Sequence, residues 1–206
     1  MSLFRHDELR SLPMSSRETL PASALVPFRL QGASLATKAV LVAIGTLVLA
    51  AASWIEIPMI PVPMNMQTFA VLLVGTLCGW RLGIATVLAW LAEAAIGLPV
   101  LSGGGAGLVH FAGPTAGYLF AFPIAAGLIG WLSERGWTSD VLRSTATLLL
   151  GHALILALGA TWLTALFGPD VALDSGVTPF LFGTALKTAL GVATLAAIHR
   201  RAGRPG

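Results

Sequence analysis

Charged residues along this chain fall in short clusters, and the stretches between clusters run for about 20 residues almost without charge. That spacing leaves few folds open. A helix rises about 1.5 Å per residue, so such a stretch spans a hydrocarbon core about 30 Å thick. Composition agrees: 10% of the 206 residues are charged and 56% are apolar, whereas a soluble domain keeps roughly a quarter charged to hold its surface in water. A membrane β-barrel would alternate apolar and polar residues at every second position, and runs such as Ala39 to Ala52 and Leu148 to Leu158 do not alternate. Water is absent from the bilayer core, so backbone N–H and C=O groups must pair within the segment, which leaves helices. An all-α integral membrane protein is expected.

Several function classes drop out. The net charge of +3 is small, and the basic residues flank the apolar runs instead of forming a stripe. That pattern argues for topogenic charge against nucleic-acid binding. Cys78 is the single cysteine and lies in an apolar run beside Gly79, so no disulfide forms within the chain and a small buried apolar side chain is expected. No phosphate-binding loop, no His/Cys cluster at metal spacing and no nucleophile elbow occurs, so no metal and no catalytic residue is assigned. Residues 1–33 are polar, carry Arg5, Arg10, Arg17 and Arg29, and are expected to form a solvated cytosolic tail. The apolar run that follows ends at Ala50-Ala51-Ala52-Ser53, small residues of the kind found at cleavage sites. The charged region before it is too long for an ordinary signal and the run is long enough to span, so retention is expected.

Six spans follow from the pattern, together forming one transmembrane domain over residues 34–200 before a short cytosolic tail at 201–206. The first covers about Leu35 to Trp54 and stops at Pro58, Pro61 and Pro63, each of which removes an N–H and crowds the preceding turn. The second covers about Gln67 to Cys78. A tight turn at Gly79-Trp80-Arg81 leads into the third, about Leu82 to Ile96, which ends at Gly97-Leu98-Pro99 before the glycine-rich loop Ser102 to Gly107. The fourth starts at Gly113-Pro114-Thr115 and ends near Leu132, with Pro114 expected at the first helical position, where no N–H partner is needed. The fifth covers about Ser144 to Phe167, and the sixth runs from Thr178-Pro179 to His199-Arg200-Arg201.

Lysines and arginines set the orientation. Arg81 lies between spans two and three, Arg135 and Arg143 between four and five, and Arg200, Arg201 and Arg204 after six. Lys38 and the four early arginines lie on the amino-terminal side of span one. The intervening loops carry no basic residue; one of them holds Asp170 and Asp174. Positive and positive-free sides alternate, which predicts both chain ends in the cytoplasm.

Lys187 is the one basic residue deep in a span, roughly 12 Å along the helix from Pro179. An ammonium there costs at least about 2.5–3.5 kcal/mol unless it meets water or a partner, so Lys187 is expected to face a cavity, with snorkelling or a structural pair with Glu93 as the ordinary alternatives. Phe180, Gly183, Thr184 and Gly191 share its stripe at helical spacing. The two glycines allow either close helix packing or close approach of a ligand. A cation, a hydroxyl and an aromatic ring suit a small anion with an apolar part. Glu93, near the outer end of span three, either accepts from a ligand or balances Lys187. His152 reads as a hydrogen-bonded core histidine before a ligand contact, and His110 is a weaker candidate still. Asn65 and Gln67 read as caps of span two before ligand contacts. The loop holding Gly103 and Gly104 is either a flexible connection or a lid, and it ends where the free N–H groups and dipole of span four favour an anion.

Taken in order, these segments resemble a known family. Pro61-Val62-Pro63-Met64-Asn65-Met66-Gln67-Thr68 resembles the PVP-x-x-x-QT signature of the biotin-specific substrate-binding subunits of energy-coupling-factor transporters, the BioY family. Gly97-Leu98-Pro99-Val100 with its glycine loop, then Gly113-Pro114-Thr115-Ala116-Gly117-Tyr118, is similar to the family's GLPV and GPTGGY segments. Pro179-Phe180-Leu181 through Lys187 is similar to its PFL-x-G-D-x-x-K stretch. The resemblance covers about residues 35–199. It implies a six-helix bundle in the cell membrane with a vitamin pocket near the outer surface, closed by the loops after spans one and three. Biotin is then the transported ligand with no cofactor, and a transmembrane coupling protein and two cytosolic ATPases are the partners. Within that resemblance Lys187 is expected to meet the biotin carboxylate or ureido oxygen, Thr184 and Glu93 to supply hydrogen bonds, and Tyr118 and Phe180 to cover the rings. Gln67, Gly103 and Gly104 complete the expected site. The chain departs from the family at Thr184, where the pattern has an aspartate; a threonine accepts a hydrogen bond but leaves Lys187 un-neutralised. No asparagine stands in the glycine loop either. Ala36, Ala39 and Ala43 lie on a small-residue face of span one that the family uses to dock its coupling protein, with helix packing inside the bundle as the alternative. Three rival functions remain: binding of another small vitamin, suggested by Thr184; an intramembrane enzyme using Glu93, His152 and Lys187, against which no nucleophile or metal pattern stands beside them; and a structural membrane subunit without a ligand, which Lys187 makes awkward.

Overall fold

The structure, a computed structural model, describes residues 32–202. The tail at 1–33 therefore lies almost wholly outside the described residues, as does most of 201–206. Helix α1 (Leu35–Trp54) starts where the Ser34 hydroxyl accepts the Thr37 N–H at 3.1 Å and stops before the proline run. That run loops between two short antiparallel strands, β1 (Glu56–Ile57) and β2 (Met64–Asn65), with Glu56 opposite Asn65. The Ile60–Pro61 peptide within the loop is cis.

Helix α2 (Gln67–Ala95) is interrupted at Gly79, which takes φ 76°, ψ 174° and joins two helical halves. A positive φ is open to glycine at little cost. The break is a reversal. A Cβ placed on Gly83 would lie 3.0 Å from the Cα of Gly75, whereas eight residues of unbroken helix would hold those positions about 12 Å apart. The two halves of α2 thus pack back to back through glycines, close to the turn expected at Gly79-Trp80-Arg81. The Glu134 carboxylate accepts the Trp80 N–H at 3.1 Å and satisfies one of the donors freed there.

Helix α3 (Ala116–Glu134) occupies the centre, with Ala121, Ala125, Ala126 and Ile129 inaccessible to solvent. It begins two residues later than Pro114, which sits in the preceding turn and not at the first helical position. Gly113 explains the shift: its carbonyl accepts both the Ala116 N–H at 3.1 Å and the Trp162 indole N–H at 3.0 Å, which fixes the turn against the next helix. Helix α4 (Val141–Phe167) begins three residues before Ser144, because Asp140 caps it by accepting the Arg143 N–H at 2.9 Å. A short helix not expected from the sequence, α5 (Pro169–Gly176), opens on a proline with Asp170 in its first turn. Helix α6 (Phe180–Ala202) completes the bundle.

Five of these helices are long and apolar enough to cross a membrane. Their outward faces carry large apolar side chains, among them Val40, Leu47, Phe182 and Leu186. Water penalises such a surface and lipid does not, so the chain is a multi-pass membrane protein.

Candidate functional site

A cavity of about 330 Å³ opens among the first turns of α2 and α3, the middle of α6, the proline loop and the glycine-rich loop. Its walls are mostly apolar: Pro61, Val62, Pro63, Leu101, Val109, Leu119, Phe122, Leu156 and Phe180. Polar groups enter at few points, namely Asn65, Gln67, Thr68, Ser102, His110, Thr115, Tyr118 and Lys187. No carboxylate is among the lining residues.

Lys187 reaches this cavity and stays inside it. Its side chain is 8% exposed, and Nζ donates to the Thr68 hydroxyl at 3.2 Å. One neutral hydroxyl leaves most of the ammonium's demand for an acceptor unmet, since a lysine carries three donors. Among the described residues no ion pair joins it to Glu93. A positive charge in low dielectric with no fixed counter-charge favours an anion entering from outside.

The aromatic wall is anchored from behind. The rings of Tyr118 and Phe180 stack with centroids 6.2 Å apart, and the tyrosine hydroxyl donates to the Gly176 carbonyl at 2.7 Å. Helix α5 thus anchors the wall from behind. The Tyr118 ring lies flat against Gly159 of α4, where a Cβ would collide with three ring carbons. Behind the entrance to α2, Gln67 is 5% exposed and its Nε2 donates to Ser53 of α1 at 3.0 Å. Its N–H is capped by Asn65 Oδ1 at 3.0 Å, so Asn65 caps α2 and lines the cavity at once.

The two loops are stitched together over the mouth. Asn65 Nδ2 donates to the Ser102 hydroxyl at 2.9 Å, and Ser102 in turn donates to the Glu56 carboxylate. The Trp54 indole donates to the Pro99 carbonyl at 3.2 Å, and that of Trp90 to Val100 at 3.1 Å. Gly103 and Gly104 do not line the cavity. They let the loop lie on its partners: a Cβ on Gly103 would lie 3.0 Å from Glu56 Oε1, and one on Gly104 3.3 Å from the Trp54 ring.

Of the residues expected from the sequence, Lys187, Gln67, Tyr118 and Phe180 share the cavity wall, whereas Thr184 and Glu93 are half-buried and outside it. The glycines on the Lys187 stripe serve packing: Gly183 faces the Met64 sulfur and Gly191 the Leu148 side chain. His152 is buried in α4 with Nδ1 3.0 Å from the Leu148 carbonyl and 3.3 Å from the Thr188 hydroxyl; its Nε2 has no partner. Thr68, Ser102 and Thr115 line the cavity without having been singled out as ligand contacts. Thr68 had one signal, its place beside Gln67 in the QT motif. Ser102 had none, because its partners lie 37 and 46 residues away. Ala36, Ala39 and Ala43 are exposed on α1, away from the bundle.

Comparison with known proteins agrees with this geometry. A family model described as the BioY family matches residues 20–204. The probable biotin transporter BioY of Pyrococcus horikoshii is 36% identical over 132 residues, covering 64% of this chain and 77% of its own. The biotin transporter BioY2 of Lactococcus lactis is 35% identical over 153 residues, covering 73% of this chain and 83% of its own. The crystal structure of an S-component for biotin from an ECF-type ABC transporter superposes with a TM-score of 0.69 at 29% identity, covering 83% of this chain and 93% of that one. The family match spans nearly the whole chain, which belongs to the BioY family.

Proposed function

We propose that this protein takes up biotin as the membrane-embedded substrate-binding subunit of an ECF-type transporter. It is a carrier component and not an enzyme, as membership of a transporter family implies. The observation that carries the reading is the ammonium of Lys187, buried in a cavity that lacks a carboxylate and is walled by Tyr118 and Phe180. Biotin supplies what that cavity asks for: one carboxylate, an apolar thiophane ring and a flat ureido ring. The volume of about 330 Å³ falls in the range of small-molecule sites. Lys187 pairs with the carboxylate or ureido oxygen, the stacked rings cover the apolar part, and Gln67, Asn65 and Ser102 offer hydrogen bonds to the remaining polar atoms. Thr184 and Glu93 then act from behind the wall, and Gly103 and Gly104 act through the loop they let close. No cofactor is needed to hold such a ligand.

Removing the lysine tests this. A hydrogen bond to a charged group contributes about 1.5–3 kcal/mol, so Lys187→Ala lowers biotin affinity by roughly 10- to 150-fold in calorimetric titration of the purified protein. Affinity unchanged within about twofold would falsify the assignment. A competition screen with other water-soluble vitamins separates biotin from a neighbouring specificity.

The same reading counts six crossings, with the two halves of α2 as separate spans across the Gly79 reversal. Both ends then lie in the cytoplasm of the cell that holds the protein in its plasma membrane, residues 34–200 form one domain, and the cavity faces outward. The exposure of Ala36, Ala39 and Ala43 supports docking of a transmembrane coupling protein, which would carry the ATPase subunits. Ala39→Trp with Ala43→Trp is expected to strip the coupling protein in co-purification while biotin affinity stays within twofold. An intact complex argues against that face.

A further inference from the structure

At the end of the bundle opposite the cavity, a second groove runs between the Gly79 reversal and the last turns of α3. Trp80, Ile84, Gly127, Leu128 and Trp131 line it, and all five are apolar or aromatic. Each tryptophan carries a guanidinium on its face. Arg81 lies 5.0 Å from the Trp80 ring centroid and Arg135 3.6 Å from that of Trp131. Neither arginine takes part in an ion pair among the described residues. The Trp131 carbonyl accepts one Arg135 N–H at 3.2 Å, and a guanidinium has four further donors. The nearby carboxylate, Glu134, is turned toward the Gly79 reversal, where one oxygen accepts the Trp80 N–H.

We propose that this groove binds an anionic phospholipid, with an acyl chain laid along Ile84 and Leu128 and the phosphate met by the guanidiniums stacked on Trp80 and Trp131. The inference is independent of what the cavity carries. Two chemistries meet here that a lipid satisfies together. Apolar walls between helices accept a chain, and a guanidinium donates to a phosphate in a forked geometry. Stacking on tryptophan holds each guanidinium in place, so little side-chain freedom is lost on binding. Tryptophan rings and arginines at helix ends mark the headgroup level, where such a phosphate lies. A docked protein would need apolar contact across a broad face, whereas five residues make up this one and the guanidiniums stacked on two of them form no ion pair among the described residues.

Native mass spectrometry of the intact, detergent-purified protein titrated with phosphatidylglycerol or phosphatidylcholine of equal chain length tests the proposal. Each basic residue near a membrane surface strengthens anionic-lipid binding about fivefold. Phosphatidylglycerol adducts are therefore expected to exceed phosphatidylcholine adducts by about that factor or more. Arg81→Gln with Arg135→Gln should remove the preference while biotin binding stays unchanged within twofold. Leu128→Asn, which makes the half-buried groove wall polar and keeps both charges, should lower phosphatidylglycerol retention, so the test survives if the double variant folds poorly. Equal binding of the two lipids by the wild type, or a preference that survives in the double variant, overturns the proposal. So does a double variant that keeps its lipid but loses the coupling protein, which would make the arginines a protein-docking surface.

Discussion

The same helices behave differently at their two ends. Toward the Gly79 reversal, α2 and α3 close on one another until backbone meets backbone: Gly75 faces Ala126, Gly83 faces Gly75, and Gly130 faces the Gly79–Trp80 peptide. Toward the proline and glycine loops, large side chains stand between the helices. Tyr118, Phe122 and Phe180 keep the walls apart, and Lys187 enters the space they leave. The lesson concerns where a bundle can afford a cavity. Lipid offers no hydrophobic drive for helix association, so close glycine contacts at one end hold the helices while the other end stays open.

Substitution can break each half of that contrast. The largest effect is expected at the closed end. Gly75→Val sets its Cβ against the Ala126 backbone, which cannot move aside as a flexible side chain would. Overpacking of this kind costs about 1–3 kcal/mol, with the upper end expected against backbone; a fall in melting temperature in detergent checks it, and unchanged stability would show that the close approach is dispensable. At the open end, Gly159→Ala drives a methyl into the Tyr118 ring. The ring can shift into the cavity, so biotin affinity is expected to drop about tenfold, a shift of about 1.4 kcal/mol, with less loss of stability than at Gly75. Equal losses of stability at the two sites would erase the distinction between the ends. The smallest effect belongs to the loops. Ser102→Ala removes the hydroxyl that bridges Asn65 and Glu56. Two hydrogen bonds are lost, one of them to a carboxylate, at a half-buried mouth where water can replace them; a net of about 0.5–1.5 kcal/mol makes biotin dissociate roughly two- to tenfold faster in stopped-flow measurements at unchanged melting temperature. An unaltered rate would mean the loops close without that bridge.

Much of this was legible beforehand, for physical reasons that differ by residue. The ends of α1 at Leu35 and Trp54 follow from the first apolar run and the prolines behind it. The reversal at Gly79 follows from a glycine beside Trp80 and Arg81, interfacial residues in the middle of an apolar stretch. Lys187 stood out because a charge at that depth demands a reason. Thr184, three residues away on the same stripe, had the right spacing, yet it is not among the residues that line the cavity. Helical spacing gives a stripe roughly 100° wide, and only the neighbours decide which edge of it meets the ligand. Helix α5 was missed because eight residues with two aspartates give too short and too polar a pattern to register as an apolar helix.

The amino-acid order by itself determined which stretches are long and apolar enough to cross a membrane, because desolvation of charge and backbone is a local cost, felt residue by residue. It also determined the alternation of basic loops from which the orientation is proposed. Tertiary structure alone decided which polar side chains share the cavity. The Lys187–Thr68 contact joins residues 119 apart, and the bridge through Ser102 joins two loops separated by the whole of α2. Such pairings depend on how each helix is rotated about its own axis, and that rotation is set by the glycine and aromatic contacts of the assembled bundle.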